Sequence, residues 1–210
     1  MSDHYFPPVP GTVEQRRTIT ARIWGAEVEL VTANGVFSGN GLDLGTAVLL
    51  RESPVPVGTP RLLDLGCGYG PIAVGLALSC PGAVVDAVDV NDRALRLCAA
   101  NAEAHGVHDR VHVRRPEQVD GSVRYDEIWS NPPIRIGKDA LHELLLTWLA
   151  RLAPDGVARL VVGKNLGADS LHRWLTDQGY DCARAASAKG FRVLTVRPVR
   201  DPLRRPDRRA

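Results

Sequence analysis

The chain has 210 residues, 44% of them hydrophobic, and a formal net charge of +2, enough apolar material for one full core and too little for two generous domains. No stretch approaches the roughly 18 unbroken apolar residues of a membrane helix, and the polar, proline-bearing start from Met1 to Pro10 lacks a signal-peptide core. A soluble, cytoplasmic protein with no membrane partner is expected, and its four scattered cysteines, Cys67, Cys80, Cys98 and Cys182, read as free thiols, with no zinc knuckle or disulfide framework.

Along the chain, Thr18 to Trp24 and Glu27 to Thr32 alternate apolar and polar residues around Gly25-Ala26, which predicts a hairpin. A second turn is marked by Gly39-Asn40-Gly41. Asp43-Leu44-Gly45-Thr46 precedes a helix start at Ala47 to Leu50, and a proline-rich linker, 54–60, follows. From Arg61 the pattern becomes strand Arg61 to Leu65, helix Ile72 to Cys80, strand Ala83 to Asp89, helix Arg93 to His105, then strands Arg110 to Arg114 and Asp126 to Ser130. Helix Lys138 to Leu152, strand Val157 to Val162, helix Ala168 to Gln178 and strands Cys182 to Ala186 and Arg192 to Val196 complete it. Strands separated by helix-length crossovers imply a parallel sheet wound on both faces, whereas the last two strands are joined too tightly for that and make the edge antiparallel. The organisation read is residues 1–60 as an N-terminal extension with a hairpin and short helix, 61–199 as the main domain, and 200–210 as a basic tail expected to be disordered. That tail holds five Arg and two Asp, so it carries +3 and leaves −1 for the rest. Any RNA contact must therefore come from a local patch or from the tail.

Three short segments carry chemistry. Asp64-Leu65-Gly66-Cys67-Gly68-Tyr69-Gly70 joins a strand to a helix through glycines, which lets a ligand approach the main chain and its N–H groups. The dinucleotide fingerprint would place its third glycine where this chain has Pro71, so a nicotinamide cofactor is the weaker reading and a nucleoside ligand lacking a pyrophosphate the better one. Asp89 lies at the distance of a ribose-binding acid, with two oxygens to accept from two hydroxyls; the plainer reading has it cap the helix near Asp92. Asn131-Pro132-Pro133-Ile134 follows the strand Asp126 to Ser130. The Asn131 amide oxygen and the Pro132 carbonyl, on a ring-locked backbone, can each accept one N–H of an amino group and turn its lone pair toward an electrophile. A strand end that merely turns the chain is the plainer alternative, but the order of the three segments points to an enzyme that moves a methyl group.

With these residues the sequence resembles the class I S-adenosylmethionine-dependent methyltransferases, in particular the small-domain family related to the ribosomal RNA small-subunit guanine-N2 methyltransferase RsmC. The resemblance also rests on Gly35-Val36-Phe37-Ser38 with Asp43-Leu44-Gly45-Thr46, on Val88-Asp89-Val90-Asn91, on Lys164 with Gly167-Ala168, and on Lys189-Gly190-Phe191-Arg192-Val193-Leu194. It implies an α/β fold: a doubly wound, Rossmann-like, seven-stranded sheet, mostly parallel with an antiparallel edge strand, plus the hairpin extension. It implies S-adenosylmethionine as cofactor, with Asp64 and the loop Gly66, Cys67, Gly68 and Gly70 on the methionine part, Asp89 at the ribose, Val90 also among the cofactor-binding residues, and Phe37 and Thr46 closing over the pocket. Asn131, Pro132 and Pro133 would form the catalytic element, and Asn131 also borders the cofactor; no metal is implied. The implied partner is ribosomal RNA. Where relatives place an acid after the third strand for the adenine amine, this chain has Arg115-Pro116, and Glu117 is the nearest acid; where base methylators stack an aromatic, it has Ile134. Arg114, Arg135 and Lys164 are candidate phosphate contacts, and His142 and His172 are expected to pack on helices. A protein glutamine or small-molecule acceptor, a non-catalytic cofactor-binding module and a nucleotide-dependent oxidoreductase are the competing readings.

Overall fold

The structure is a computed structural model and describes residues 13–38 and 41–199. The expectations for the first ten residues, for Gly39-Asn40 and for the basic tail lie outside the described residues.

The hairpin is β1 (Arg16–Ile23) and β2 (Ala26–Ala33), paired antiparallel. Its turn is one residue earlier than the sequence reading: Ile23 pairs with Ala26, leaving Trp24 and Gly25 as a two-residue loop with φ of 44° and 88°. Positive φ at both loop positions matches the right-handed twist of paired strands, which is why two-residue hairpins adopt it. The same turn recurs at Lys189 (φ 48°) and Gly190 (φ 80°), between β8 (Tyr180–Ala188) and β9 (Phe191–Pro198).

After the hairpin comes α1 (Leu44–Glu52), which begins three residues before the expected start because Asp43 caps it, its carboxylate accepting from the Thr46 N–H at 3.0 Å. The main sheet alternates β3 (Arg61–Leu65), α2 (Pro71–Ser79), β4 (Val84–Val88), α3 (Asp92–Ala104), β5 (Val111–Arg114), β6 (Tyr125–Ser130), α4 (Lys138–Leu149), β7 (Leu152–Gly163) and α5 (Ala168–Asp177) before β8 and β9. Between β5 and β6 there is only a short 3-10 turn, Pro116–Gln118. Strand order is β5-β4-β3-β6-β7-β9-β8. The first five pair in parallel and β9 runs antiparallel to both neighbours. The expected seven-stranded, mostly parallel sheet with an antiparallel edge is therefore found, with β9 inserted ahead of the edge strand β8. The largest boundary shift is the start of β7: Leu152, read as the end of a helix, pairs with Tyr125 as the first residue of β7, and register then jumps to Glu127 opposite Val157. Its apolar side chain fits either period, and only the cross-strand partner decides.

Alternation along the strands divides the core. Leu62, Val85, Ala87 and Trp129 face α1, α2, α3 and the hairpin, while Leu63, Leu65, Val88 and Ile128 face α4 and α5. The hairpin is part of the first of these layers through Ala21, Ile23, Val28 and Leu30. Trp24 meets the buried Trp129 edge-on at 5.7 Å and 87°, and donates its indole N–H to the Ser53 carbonyl at 3.0 Å. The Asn101 side chain of α3 pairs with both the N–H and the carbonyl of Val31, at 2.8 and 2.9 Å, as a neighbouring strand would. His142 stacks on Trp174 and His172 bonds the Cys182 carbonyl, the packing roles expected of them. Among the described residues no helix is long and apolar enough to cross a membrane.

Candidate active site

The chain winds from β3 outward to β5 and then returns to place β6 on the other side of β3, so the β3–β6 boundary is where the strand order reverses. Loops leaving the carboxyl ends of strands diverge at such a point and leave a crevice between them. The two loops here are the glycine turn, after β3, and Asn131-Pro132-Pro133, after β6. The Ser130 hydroxyl donates to the Leu65 carbonyl at 2.7 Å and holds the two strand ends together.

The glycine turn hangs from the end of β4, with the Gly66 and Cys67 N–H groups both donating to the Val88 carbonyl at 2.8 and 3.0 Å. Gly66, Gly68 and Gly70 have φ of +75°, +56° and +88°, values that favour glycine. Their surroundings differ. A side chain at Gly66 or Gly68 would meet nothing within 4 Å, so the backbone there faces open space; at Gly70 it would strike the Cys98 sulfur at 2.6 Å. The first two leave room for a ligand, whereas Gly70 lets α2 pack on α3.

Two carboxylates flank the turn. Asp64 is fully buried; one oxygen accepts from the Ala73 N–H at 2.9 Å, and the other has no partner among the described residues. Burial pushes its pKa up to about 8, helped by the nearby Asp89 charge and opposed by the Ala73 N–H. Asp89 accepts from the Gly68 and Asn91 N–H groups, each at 2.9 Å and each on a different oxygen. Burial raises its pKa and these N–H groups pull it back. It is not the cap of α3: Asn91 is, accepting from the Arg93 and Ala94 N–H groups, so each Asp89 oxygen keeps a lone pair for a ligand.

On the other loop, Asn131 gives its side-chain NH₂ to two acceptors, the Asp43 carboxylate at 2.6 Å and the Thr46 hydroxyl at 3.0 Å. Its Oδ1 is thereby the end available to a ligand. The Pro132 carbonyl already accepts from the Ile134 N–H at 2.8 Å and, having two lone pairs, can take one more. Pro133 begins the 3-10 turn Ile134–Ile136, and Ile134 packs against the α4 and α5 layer.

Asn131, Gly66, Cys67, Gly68, Phe37 and Thr46 line one cleft. Asp43, Ser38, Tyr69, Pro71 and Ile72 share it, and Asp43 is a member that sequence reasoning placed only in a motif. Tyr69 donates its hydroxyl to the Gly41 carbonyl at 3.2 Å, while Asn91 and Arg93 bond the Gly35 and Asn34 carbonyls at 2.9 and 2.8 Å; together they draw the segment after β2 over the glycine turn. Phe37 sits there half exposed. Val90 and Glu117 are both exposed and do not line the cleft; they follow the ends of β4 and β5. Arg115 turns away to pair with Asp92. Cys67, distant from Cys98 in sequence, meets it in space, and the thiol contact, with burial, raises the Cys67 pKa. All four cysteines are free.

Residues 27–195 match the family model of the methyltransferase small domain. The chain belongs to this family. Its members are S-adenosylmethionine-dependent enzymes. YbxB of Bacillus subtilis is 29% identical over 202 residues, spanning 95% of this chain and all of that protein. Ribosomal RNA small subunit methyltransferase C of Shewanella amazonensis is 35% identical over 145 residues, 67% of this chain and 41% of the relative. Among solved structures, the T. thermophilus 16S rRNA N2 G1207 methyltransferase RsmC, in complex with AdoMet and guanosine, superposes with a TM-score of 0.76 at 26% identity, over 90% of this chain and 52% of that one. The chain thus spans about half the length of the RsmC relatives it matches.

Proposed function

We propose that this small-domain methyltransferase carries a methyl group from S-adenosylmethionine to an exocyclic amine, guanine N2 of small-subunit ribosomal RNA, through the residues of the β3–β6 cleft. One observation carries the reading: the open-backed glycine turn and the amide-oriented Asn131 line the same cleft on adjacent strands. The donor's chemistry fits the residues present. A fully buried carboxylate oxygen on Asp64 lacks a partner, as a site for an ammonium group should; Gly66 and Gly68 leave space at the backbone, and Asp89 keeps lone pairs for two ribose hydroxyls. Val90 and Glu117, exposed after the ends of β4 and β5, would border the cofactor beyond Asp89. As it stands the cleft encloses about 30 Å³, well below the roughly 300 Å³ of a small-molecule site, so the donor would enter it only as it widens.

Bound S-adenosylmethionine supplies a methyl group already activated on a sulfonium sulfur. The Asn131 Oδ1 and the Pro132 carbonyl accept the two N–H bonds of the incoming amine and Pro133 stiffens the loop, so the nitrogen lone pair is aimed out of the ring plane at that carbon. Transfer would form the C–N bond as the donor's C–S bond breaks, leaving the electron pair on sulfur and passing the surplus amine proton to water. Residues 61–199 form the catalytic unit and the extension before them contributes Phe37, Asp43 and Thr46 to it.

Ribosomal RNA as acceptor is supported by the names of the relatives and by two exposed cations, Arg135 after β6, whose end borders the cleft, and Lys164 after the neighbouring strand β7. Arg114 instead faces the buried Asp86 at 3.7 Å. A cytoplasmic location follows from such a substrate. With these two phosphate contacts, affinity for unmodified small-subunit RNA should fall roughly 7- to 12-fold between 50 and 200 mM salt. Binding that ignores salt would favour a protein glutamine or small-molecule acceptor.

A further inference from the structure

We infer that Asp43 is a positioning residue for methyl transfer, holding the Asn131 carboxamide by its nitrogen so that only its oxygen is presented to the acceptor. The inference rests on the amine-methylation reading above and goes beyond it, to what fixes the orientation of the accepting group.

A carboxamide has two nearly isosteric ends, and a loop asparagine exposed to a cleft can turn either one outward. Here the choice is made by the partners. Asp43 Oδ1 stands 2.6 Å from Asn131 Nδ2 and Thr46 Oγ1 stands 3.0 Å from it, so both hydrogens of the NH₂ are taken. An ionised carboxylate has no hydrogen to give, and the reversed amide would set oxygen against oxygen at the closest of these contacts. Oδ1 must therefore face away from Asp43.

Asp43 is itself held. It is the N-cap of α1, and the same Oδ1 accepts from the Thr46 N–H at 3.0 Å. Behind it, Gly45 makes the geometry possible: a side chain there would come within 2.9 Å of Asp43 Oδ1 and 2.9 Å of the Phe191 ring. The helix is anchored by Val48, Leu49 and Leu50, all buried, so the carboxylate is fixed to the body of the protein. Asp43, Thr46 and Asn131 all line the cleft. The consequence is selectivity by hydrogen-bond polarity. The site accepts groups that bring N–H to Oδ1, such as an exocyclic amine, and rejects ring nitrogens or carbonyls that bring only lone pairs.

Two variants separate this from a merely structural role. Asp43→Ser keeps a good helix cap but is too short to reach Asn131, and Asp43→Asn keeps an oxygen at the same reach. Kinetics on unmodified small-subunit RNA should show kcat about 10- to 100-fold lower in D43S, with S-adenosylhomocysteine affinity within about threefold of wild type and most of the loss recovered in D43N. In an Asn131→Ala background, D43S should add less than about a twofold further loss, since the residue it acts through is gone. Independently of turnover, NMR exchange of the Asn131 carboxamide protons should be slow in the wild type and fast in D43S. Wild-type kcat in D43S, losses that multiply in the double variant, or fast exchange in the wild type would each overturn the role. A wild type that transfers no methyl while its Asn131 protons are protected, and lose that protection in D43S, removes the reaction and leaves the Asp43 hold standing.

Discussion

Asn131→Ala should lower turnover by about 10²- to 10³-fold while leaving S-adenosylhomocysteine affinity within about threefold of wild type. The asymmetry follows from where the side chain sits. Asn131 follows β6, across the cleft from the turn that Asp64, Gly66 and Gly68 form, so on the proposed reading its oxygen meets the acceptor amine. Replacing it removes one of two acceptors that orient the nitrogen and leaves the donor's contacts in place. The fold should lose little. Asp43 and Thr46 each lose a hydrogen bond, worth about 1 kcal/mol apiece, but Asp43 is only partly buried and water can replace its partner. Steady-state kinetics with calorimetry on the same preparation checks this; comparable losses in kcat and in cofactor affinity would contradict the assignment of Asn131 to the acceptor.

Asp64→Asn should move stability and binding in opposite directions. Burial holds the folded-state pKa of Asp64 at about 8, against an ordinary 3.8. Between those values the folded chain keeps a proton that the unfolded chain has released, so the stabilising contribution is complete below about pH 4 and is lost as pH rises through about 8. At pH 7 most of it has already gone. An asparagine fixes the neutral form without taking up a proton, so the ligand-free variant should be more stable at pH 7 by on the order of 3 kcal/mol, a rise of about 6–12 °C in Tm for a chain of this size. The gap should close near pH 4. Cofactor binding should suffer instead. An ammonium placed against the unpartnered oxygen draws the proton off Asp64, so wild-type binding of S-adenosylhomocysteine should release a proton near pH 7 and tighten from pH 6 to pH 8. The variant would present an NH₂ there and should bind at least about 30-fold more weakly, without that pH dependence. Loss of both stability and binding in D64N would refute the proposed role for the buried carboxyl.

The parts of this site visible in the sequence are those whose partners are near in the chain. Gly66, Gly68 and Gly70 fall in one turn, Asp89 follows at the end of the next strand, and Asn131 is tied to two prolines, so spacing alone exposes them. The fold was legible for the same reason, since strand–helix alternation is a local pattern that topology rules turn into a sheet. What escaped depends on contacts between distant segments. Asp43 and Asn131 are 88 positions apart, and an aspartate ahead of a helix start in the sequence tells nothing about the amide it will hold. Asn101 binds β2 from 70 positions away, and Cys67 meets Cys98 only because Gly70 lets two helices close. Leu152 and the Trp24-Gly25 turn show the smaller limit: an apolar residue serves a helix or a strand equally well, and a hairpin's register is set by both strands together.

The most direct test is transfer of labelled methyl from S-adenosylmethionine to small-subunit ribosomal RNA lacking its own modification, followed by digestion to nucleosides and mass spectrometry. The account predicts label on the exocyclic N2 of guanine with wild type and little or none with Asn131→Ala. Label on a carbon, an oxygen or a ring nitrogen, or full incorporation by the variant, would contradict it.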